Sequence, residues 1–283
     1  MLHRIIPNRI RRKTAALLGA AAFTAILAAP MPDVRAAEEP FVLLIQPILS
    51  EEKTREAYGP LCAYIERLAG RPCTVLTQPN FLAYWDVIRR NNYDLVLDAS
   101  HFTDYRVQKM GFSILAKIPD SVSYSLIVPD SHLVFDPTEL VARRIATLGP
   151  PSIGAARLSA MFPNPLRQPV IIEVASAEEG MDLVVAKKVE AAILPTPLVS
   201  QRMSQAGGIA VVLTTEPIPH IALSASPRVA REIQERIRDG LLNAAATPAG
   251  RRMLEGIGFE KFDPATPALY ANQSNILKTY WGY

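Results

Sequence analysis

The chain has 283 residues and a formal net charge of +3, but residues 1–37 hold six of its 30 basic residues and only one of its 27 acidic residues. The rest of the chain has 24 basic and 26 acidic residues, a net charge of −2. This balance argues against a general affinity for nucleic acid or for an anionic membrane. The remaining length can form one large domain or two of ordinary size.

Residues 1–37 have the organisation of a secretory signal peptide. A basic stretch precedes the apolar run 14–29, and Val34-Arg35-Ala36 follows as a small-residue cleavage signature. The run is shorter than the roughly 20 residues needed to span a bilayer, and no cysteine lies near the cleavage point for a lipid anchor. We therefore predict a cleaved export signal and a periplasmic location, with an uncleaved anchor as the alternative.

After residue 38, short apolar runs alternate with amphipathic segments, which predicts alternating strands and helices. The predicted strands cover residues 41–46, 74–77, 95–98, 112–118, 123–128, 145–148, 170–174, 191–194 and 209–213. The predicted helices cover residues 53–69, 81–90, 101–109, 158–162, 177–187, 198–206, 228–246 and 248–256. A tail rich in tyrosine and asparagine closes the chain and is expected to pack on the first half.

Residues 85–107 and 181–203 share one pattern without a gap, an amphipathic helix that leads into a short buried strand and then a polar loop. The same offset pairs Asn80 with Ser176, and both are good helix N-caps. The chain therefore encodes a βαβ unit twice, which predicts two lobes with a cleft at the carboxyl ends of the strands.

We predict an α/β fold in which each lobe is a mixed, mostly parallel sheet flanked by helices, with two crossover strands as the hinge. The first crossing is expected around residues 123–137 and the return at 218–224. Lobe one then takes residues 38–125, lobe two takes 126–219, and residues 220–283 return to lobe one.

The two cysteines, Cys62 and Cys73, lie on a predicted helix and at the start of the next strand. A disulfide between them is geometrically plausible in an oxidising compartment. A thiol pair for a soft metal and two unpaired buried thiols are the alternatives.

The sequence contains no HExxH, GxSxG or GxxxxGK[ST] motif. An enzyme is therefore the weakest of the function classes considered, and neither a metal nor a cofactor is predicted.

The candidate ligand-binding residues lie where predicted strands end or where the chain crosses between lobes. His101 follows the third strand, where its ring could donate to an anionic or carbonyl oxygen, or could only cap its helix. Tyr124 could direct its hydroxyl into the cleft or only pack in the core. Arg157 would suit a carboxylate or another oxyanion, unless it is simply solvated. The other candidates are Gln46, Ser100, Phe102, Ser159, Thr196 and His220.

Residues 58–102 carry a resemblance to a known family. Pro60-Leu61 opening a helix, a helix end at Leu68-Ala69-Gly70, and an Asn-Tyr-Asp turn before Ala99-Ser100-His101 resemble the phosphate, phosphite and phosphonate substrate-binding proteins of ABC importers. The resemblance implies a two-lobed, monomeric periplasmic binding protein that closes on a small solute and docks on a membrane permease.

One segment departs from that family. Phosphonate binders of this kind usually carry a Ser-Thr-Ser-Gly loop, whereas residues 152–159 read SIGAARLS. We therefore expect a small oxyanion other than a phosphonate, or a different solute. The alternative function is a receptor that reports its ligand to a membrane histidine kinase.

Overall fold

The computed structural model describes residues 39–283, so the predicted signal peptide lies outside the described residues. Its strands are β1 (Phe41–Ile45), β2 (Cys73–Leu76), β3 (Leu95–Asp98), β4 (Ser113–Lys117), β5 (Ser121–Val122), β6 (Tyr124–Pro129), β7 (Arg144–Thr147), β8 (Val170–Glu173), β9 (Ala191–Pro195), β10 (Ile209–Thr214), β11 (Ile218–Pro219) and β12 (Ala222–Ala225). Its α-helices are α1 (Glu51–Ala69), α2 (Phe81–Arg90), α3 (Ser100–Met110), α4 (Ile153–Met161), α5 (Ala177–Val185), α6 (Thr196–Gln205), α7 (Arg231–Leu242), α8 (Pro248–Ile257) and α9 (Pro267–Tyr270). No helix in this part of the chain is both long and apolar enough to cross a membrane.

Two five-stranded sheets form the two lobes. The strand order is β2-β1-β3-β12-β4 in lobe one and β8-β7-β9-β6-β10 in lobe two. In lobe one only β12 runs against the other strands, and in lobe two only β6 does so. The predicted fold class, two lobes with mixed and mostly parallel sheets, is confirmed.

The sequence repeat corresponds to equivalent elements of the two lobes. Helices α2 and α5 precede β3 and β9, which occupy the same central place in their sheets. Asn80 Oδ1 accepts the N–H of Ala83 at 2.8 Å, and Ser176 Oγ accepts that of Glu179 at 3.1 Å. Both predicted N-caps are therefore present, because each side chain satisfies a backbone donor that the helix itself leaves open.

The lobes are connected through the antiparallel pair of β5 and β11. The first crossing thus lies just before the predicted residues 123–137, since the strand β6 already belongs to the sheet of lobe two. On the return, β11 pairs with β5, and β12 already belongs to the sheet of lobe one.

Two helices differ from their predicted bounds by more than two residues at one or both ends. The helix predicted at 158–162 begins at Ile153, because Ser152 Oγ accepts the N–H of Ala155 at 3.2 Å and caps it there. The helix predicted at 228–246 ends at Leu242, and a separate turn of 3₁₀-helix follows it.

A disulfide and a hydrogen bond connect separate segments of lobe one. Cys62 and Cys73 form a disulfide between α1 and β2, with their Cα atoms 5.5 Å apart. The C-terminal tail packs on lobe one as expected, since Trp85 Nε1 donates to the carbonyl of Trp281 at 2.8 Å.

Candidate functional site

A cavity of about 150 Å³ lies between the lobes, next to the crossing strands. It is at the carboxyl ends of β1, β3 and β9, which is where α/β sheets place their ligands. It is lined by Gln46, Ile48, Leu49, Thr54, Tyr58, Ala99, Val122, Tyr124, Pro195, Pro197, Leu198, His220, Ile221 and Phe259.

The polar side chains of this lining are positioned by the backbone around them. Gln46 Oε1 accepts the N–H of Ala99 at 3.1 Å, which fixes the side-chain amide at the end of β1. His220 Nδ1 accepts the N–H of Ile221 at 2.8 Å. The ring proton of a neutral His220 is therefore on Nε2, which makes that nitrogen a hydrogen-bond donor.

The lining is uncharged at neutral pH. Within residues 39–283, the side chains that line the cavity include no lysine, arginine, aspartate or glutamate. Burial, with a smaller effect of Lys117, lowers the pKa of His220 to about 4. Burial raises the pKa of Tyr58 to about 12, and it raises the pKa of Tyr124 still further. Both hydroxyls therefore stay protonated, and each can donate or accept a hydrogen bond.

Two helices begin at the cavity without a capping side chain. The N-cap residues Ala99 of α3 and Pro195 of α6 line the cavity and offer no side-chain acceptor. By contrast, Ser50 caps α1, whose first turn contains Glu51 and Glu52. At the start of α6, the N–H of Thr196 donates to the carbonyl of Ser123 at 2.9 Å, and Pro197 has no N–H. The open N–H groups and the positive end of α3 are therefore the main features that favour a negative charge nearby.

A buried ion pair holds the start of α3 against β3. The carboxylate of Asp98 accepts hydrogen bonds from both terminal nitrogens of the fully buried Arg106 and from the hydroxyl of Tyr84 at 2.7 Å. Because both charged groups are buried, removing either one would leave the other as a buried charge without a counter-ion. The pair includes Asp98, the last residue of β3, and Ala99 of the cavity lining follows it directly.

The sequence-predicted site residues divide into three groups. Gln46, Tyr124 and His220 line the cavity together. Ser100, His101 and Phe102 begin α3 but are buried outside the lining. Thr196, Arg157 and Ser159 also lie outside it.

The buried groups have partners elsewhere in the protein. His101 Nε2 lies 3.0 Å from the carbonyl oxygen of Pro151 in lobe two. The hydroxyl of Ser100 donates to Gln273 Oε1 at 3.3 Å. The ring of Phe102 stacks on that of Trp85, with their centroids 6.2 Å apart.

The remaining candidates belong to lobe two. Thr196 Oγ1 lies 2.9 Å from the hydroxyl oxygen of Ser125. Arg157 Nη2 donates to the carbonyl of Glu216 at 3.4 Å and lines a separate depression near the C-terminal tail. Ser159 is exposed.

Sequence reasoning missed Tyr58 and Phe259. Tyr58 follows Thr54 by one helical turn, and both line the cavity, so the i, i+4 spacing along α1 could have indicated the pair. No local pattern marks Phe259, which follows α8 near the end of the chain.

Direct contacts join the lobes around the cavity. The backbone N–H of Ala177, which begins α5, donates to the carbonyl of Ile48 at 2.9 Å. Lys53 Nζ pairs with Glu178 at 2.6 Å. Together with the His101–Pro151 contact, these interactions connect the two lobes beside the cavity.

Comparisons with known proteins agree with this architecture. Residues 43–270 match the family described as ABC transporter, phosphonate, periplasmic substrate-binding protein. The chain belongs to this family. The predicted recognition is therefore confirmed, as is the main prediction of function: a periplasmic binding protein that captures a small solute for an ABC permease. No curated protein matches the sequence.

Solved structures with the same fold have low sequence identity. PhnD1 from Prochlorococcus marinus in complex with methylphosphonate has a TM-score of 0.72 and 12% identity, over 84% of this chain and 96% of that one. The binding protein PA3383 of a phosphonate transporter from Pseudomonas aeruginosa has a TM-score of 0.69 and 13% identity, over 81% and 82%. XAC2383 from Xanthomonas citri bound to ATP has a TM-score of 0.67 and 14% identity, over 84% and 96%.

Proposed function

We propose that the cavity between the lobes is the site at which this protein captures its solute. The observation that carries the proposal is the convergence of Gln46, Tyr124 and His220 on one cavity at the uncapped N-terminal end of α3. Gln46, His220 and the start of α3 present hydrogen-bond donors, and Tyr124 adds a hydroxyl. A set of donors of this kind suits the oxygen atoms of a small oxyanion.

The solute is released to an ABC permease when the lobes separate. Lobe closure requires a ligand that binds the closed state more tightly than the open state. We propose that the hinge lies where the chain passes between the lobes, near residues 125 and 220. The contacts Lys53–Glu178 and His101–Pro151 would break on opening, since each joins the two lobes.

We infer that the exported protein is a monomer and does not catalyse a reaction. Residues 1–37 would be removed as a signal peptide, and the protein would meet the permease as a monomer. Import is favoured over signalling to a histidine kinase because the family is one of transport proteins. An uncharged lining with a neutral histidine also offers no paired acid and base for turnover of the solute.

A cavity-filling variant tests the proposed site. Leu198→Trp puts a large ring at the cavity wall, and we expect it to abolish solute binding measured by isothermal titration calorimetry with the family's solutes phosphate, phosphite and methylphosphonate. Leu269→Trp, at a side chain that is 44% exposed and outside the cavity, is the matched control. Circular dichroism checks that both variants are folded. Wild-type affinity in folded Leu198→Trp would refute the site.

A further inference from the structure

The cavity has apolar walls. Beyond its few polar groups, the lining consists of aliphatic and aromatic side chains, and the rings of Phe259 and His220 meet edge to face with their centroids 5.8 Å apart. Tyr58 and Leu198 add further large side chains. A ligand that only filled the hydrogen-bonding positions would leave these walls without an apolar partner.

The charge available to a ligand is small. A helix end carries roughly half an elementary charge, which is what α3 supplies. Helix α6 supplies less, because its first N–H already donates to Ser123 and Pro197 has no N–H. Helix α1 adds little, because its own Glu51 and Glu52 oppose its dipole. Since no cationic side chain lines the cavity within the described residues, a second negative charge on a ligand would be buried without a counter-ion.

We propose that this cavity selects a singly charged oxyanion that carries an apolar substituent, such as a phosphonate monoester or an arylsulfonate, over inorganic phosphate. This inference rests on the proposed function, because it specifies the ligand of the same site. The single charge binds at the N-terminal end of α3, and the substituent packs against Phe259 and Tyr58. The uncharged donors Gln46 and His220 orient the oxygen atoms.

Calorimetry with charge-matched probes tests the charge requirement. The probes are inorganic phosphate, methylphosphonate, phenylphosphonate, and the monomethyl esters of the two phosphonates, titrated into protein purified from the periplasm. At pH 8.5 the free phosphonates carry mostly two charges, whereas their esters carry one. We expect the phenylphosphonate ester to bind at least tenfold more tightly than phenylphosphonate, and at least tenfold more tightly than phosphate.

The pH dependence gives a second measure of the same requirement. From pH 8.5 to pH 6 the affinity for phenylphosphonate should rise toward that of its ester, while the ester's own affinity stays constant. The titratable groups of the lining are His220, Tyr58 and Tyr124, and none changes its charge in this range. Lys117 and Asp120 act electrostatically on the pKa of His220, and Arg157 acts on that of Tyr124.

A matched pair of variants tests the apolar wall. Phe259→Ala should reduce the preference for the phenyl ester over the methyl ester by about tenfold. Leu269→Ala, on the exposed surface outside the cavity, should leave that preference unchanged.

The outcomes separate this inference from the proposed function. Tightest binding by phosphate or by a doubly charged phosphonate would overturn the inference, and so would a failure of all five probes to bind. The proposed site would still stand if Leu198→Trp abolished the binding of whichever solute does bind. Binding that survives in Leu198→Trp would overturn both.

Discussion

Acidification from pH 7 to pH 5 is expected to lower the free energy of unfolding by about 2 kcal/mol through His101 alone. Burial lowers the pKa of this imidazole from 6.5 to about 3, because its charged form would lose hydration, while the nearby carbonyl of Pro151 opposes the shift only in part. Between those two values the unfolded chain binds a proton that the folded protein excludes. The stability is therefore fully present above about pH 6.5 and is lost progressively as the pH falls toward 3. At pH 5, which is roughly 1.5 units below the unfolded pKa, each unit is worth about 1.4 kcal/mol.

Urea denaturation of wild type and His101→Gln at pH 7 and pH 5 measures this contribution. Glutamine does not titrate, and its side-chain amide can still donate to the carbonyl of Pro151. The loss of stability between the two pH values should therefore be about 2 kcal/mol smaller in the variant than in wild type. His132→Gln is the matched control, because it removes an exposed histidine. Fluorescence and circular dichroism must report the same transition for the two-state treatment to hold.

The same loss in wild type and His101→Gln would refute the reasoning. It would mean that His101 is hydrated in the folded protein and that its contact with lobe two does not persist in solution. A pH dependence that changes equally in His132→Gln would point instead to a general effect of removing a histidine.

Three further predictions follow from the contacts described above. Reduction of the Cys62–Cys73 disulfide should destabilise the protein by roughly 2–3 kcal/mol, because the unfolded chain regains the freedom of a short loop; equal urea midpoints with and without a reductant would contradict this. Asp98→Ala should cost about 3–5 kcal/mol of unfolding free energy, because it leaves a buried guanidinium unpaired, and a loss below 1 kcal/mol in urea denaturation would argue against the buried pair. In small-angle scattering, a ligand should reduce the radius of gyration of wild type but not of Leu198→Trp, and an unchanged radius at saturation would count against lobe closure.

Much of the fold could be predicted from the sequence because the relevant signals are local. Asn80 and Ser176 cap equivalent helices at the same offset, and apolar runs mark β3 and β9. Helix bounds were predicted less well where the N-cap lies before the start of the apolar pattern. Ser152, for example, caps α4, which begins five residues before its predicted start.

The site was predictable only in part. Gln46, Tyr124 and His220 could be named because strand ends and crossings converge on the cleft in an α/β fold. The orientation of His101 could not be predicted from the sequence. This residue also lies at a strand end, yet its ring is buried against Pro151, 50 residues away in sequence.

The sequence by itself determined the duplicated βαβ unit and the two-lobed class, since periodicity and caps are properties of short segments. The tertiary structure alone decided which side chains share the cavity and that its lining is uncharged. Tyr58 and Phe259 meet there from opposite ends of the chain. Such a meeting depends on how α1 and the segment after α8 pack in lobe one, and no short segment of sequence encodes that packing.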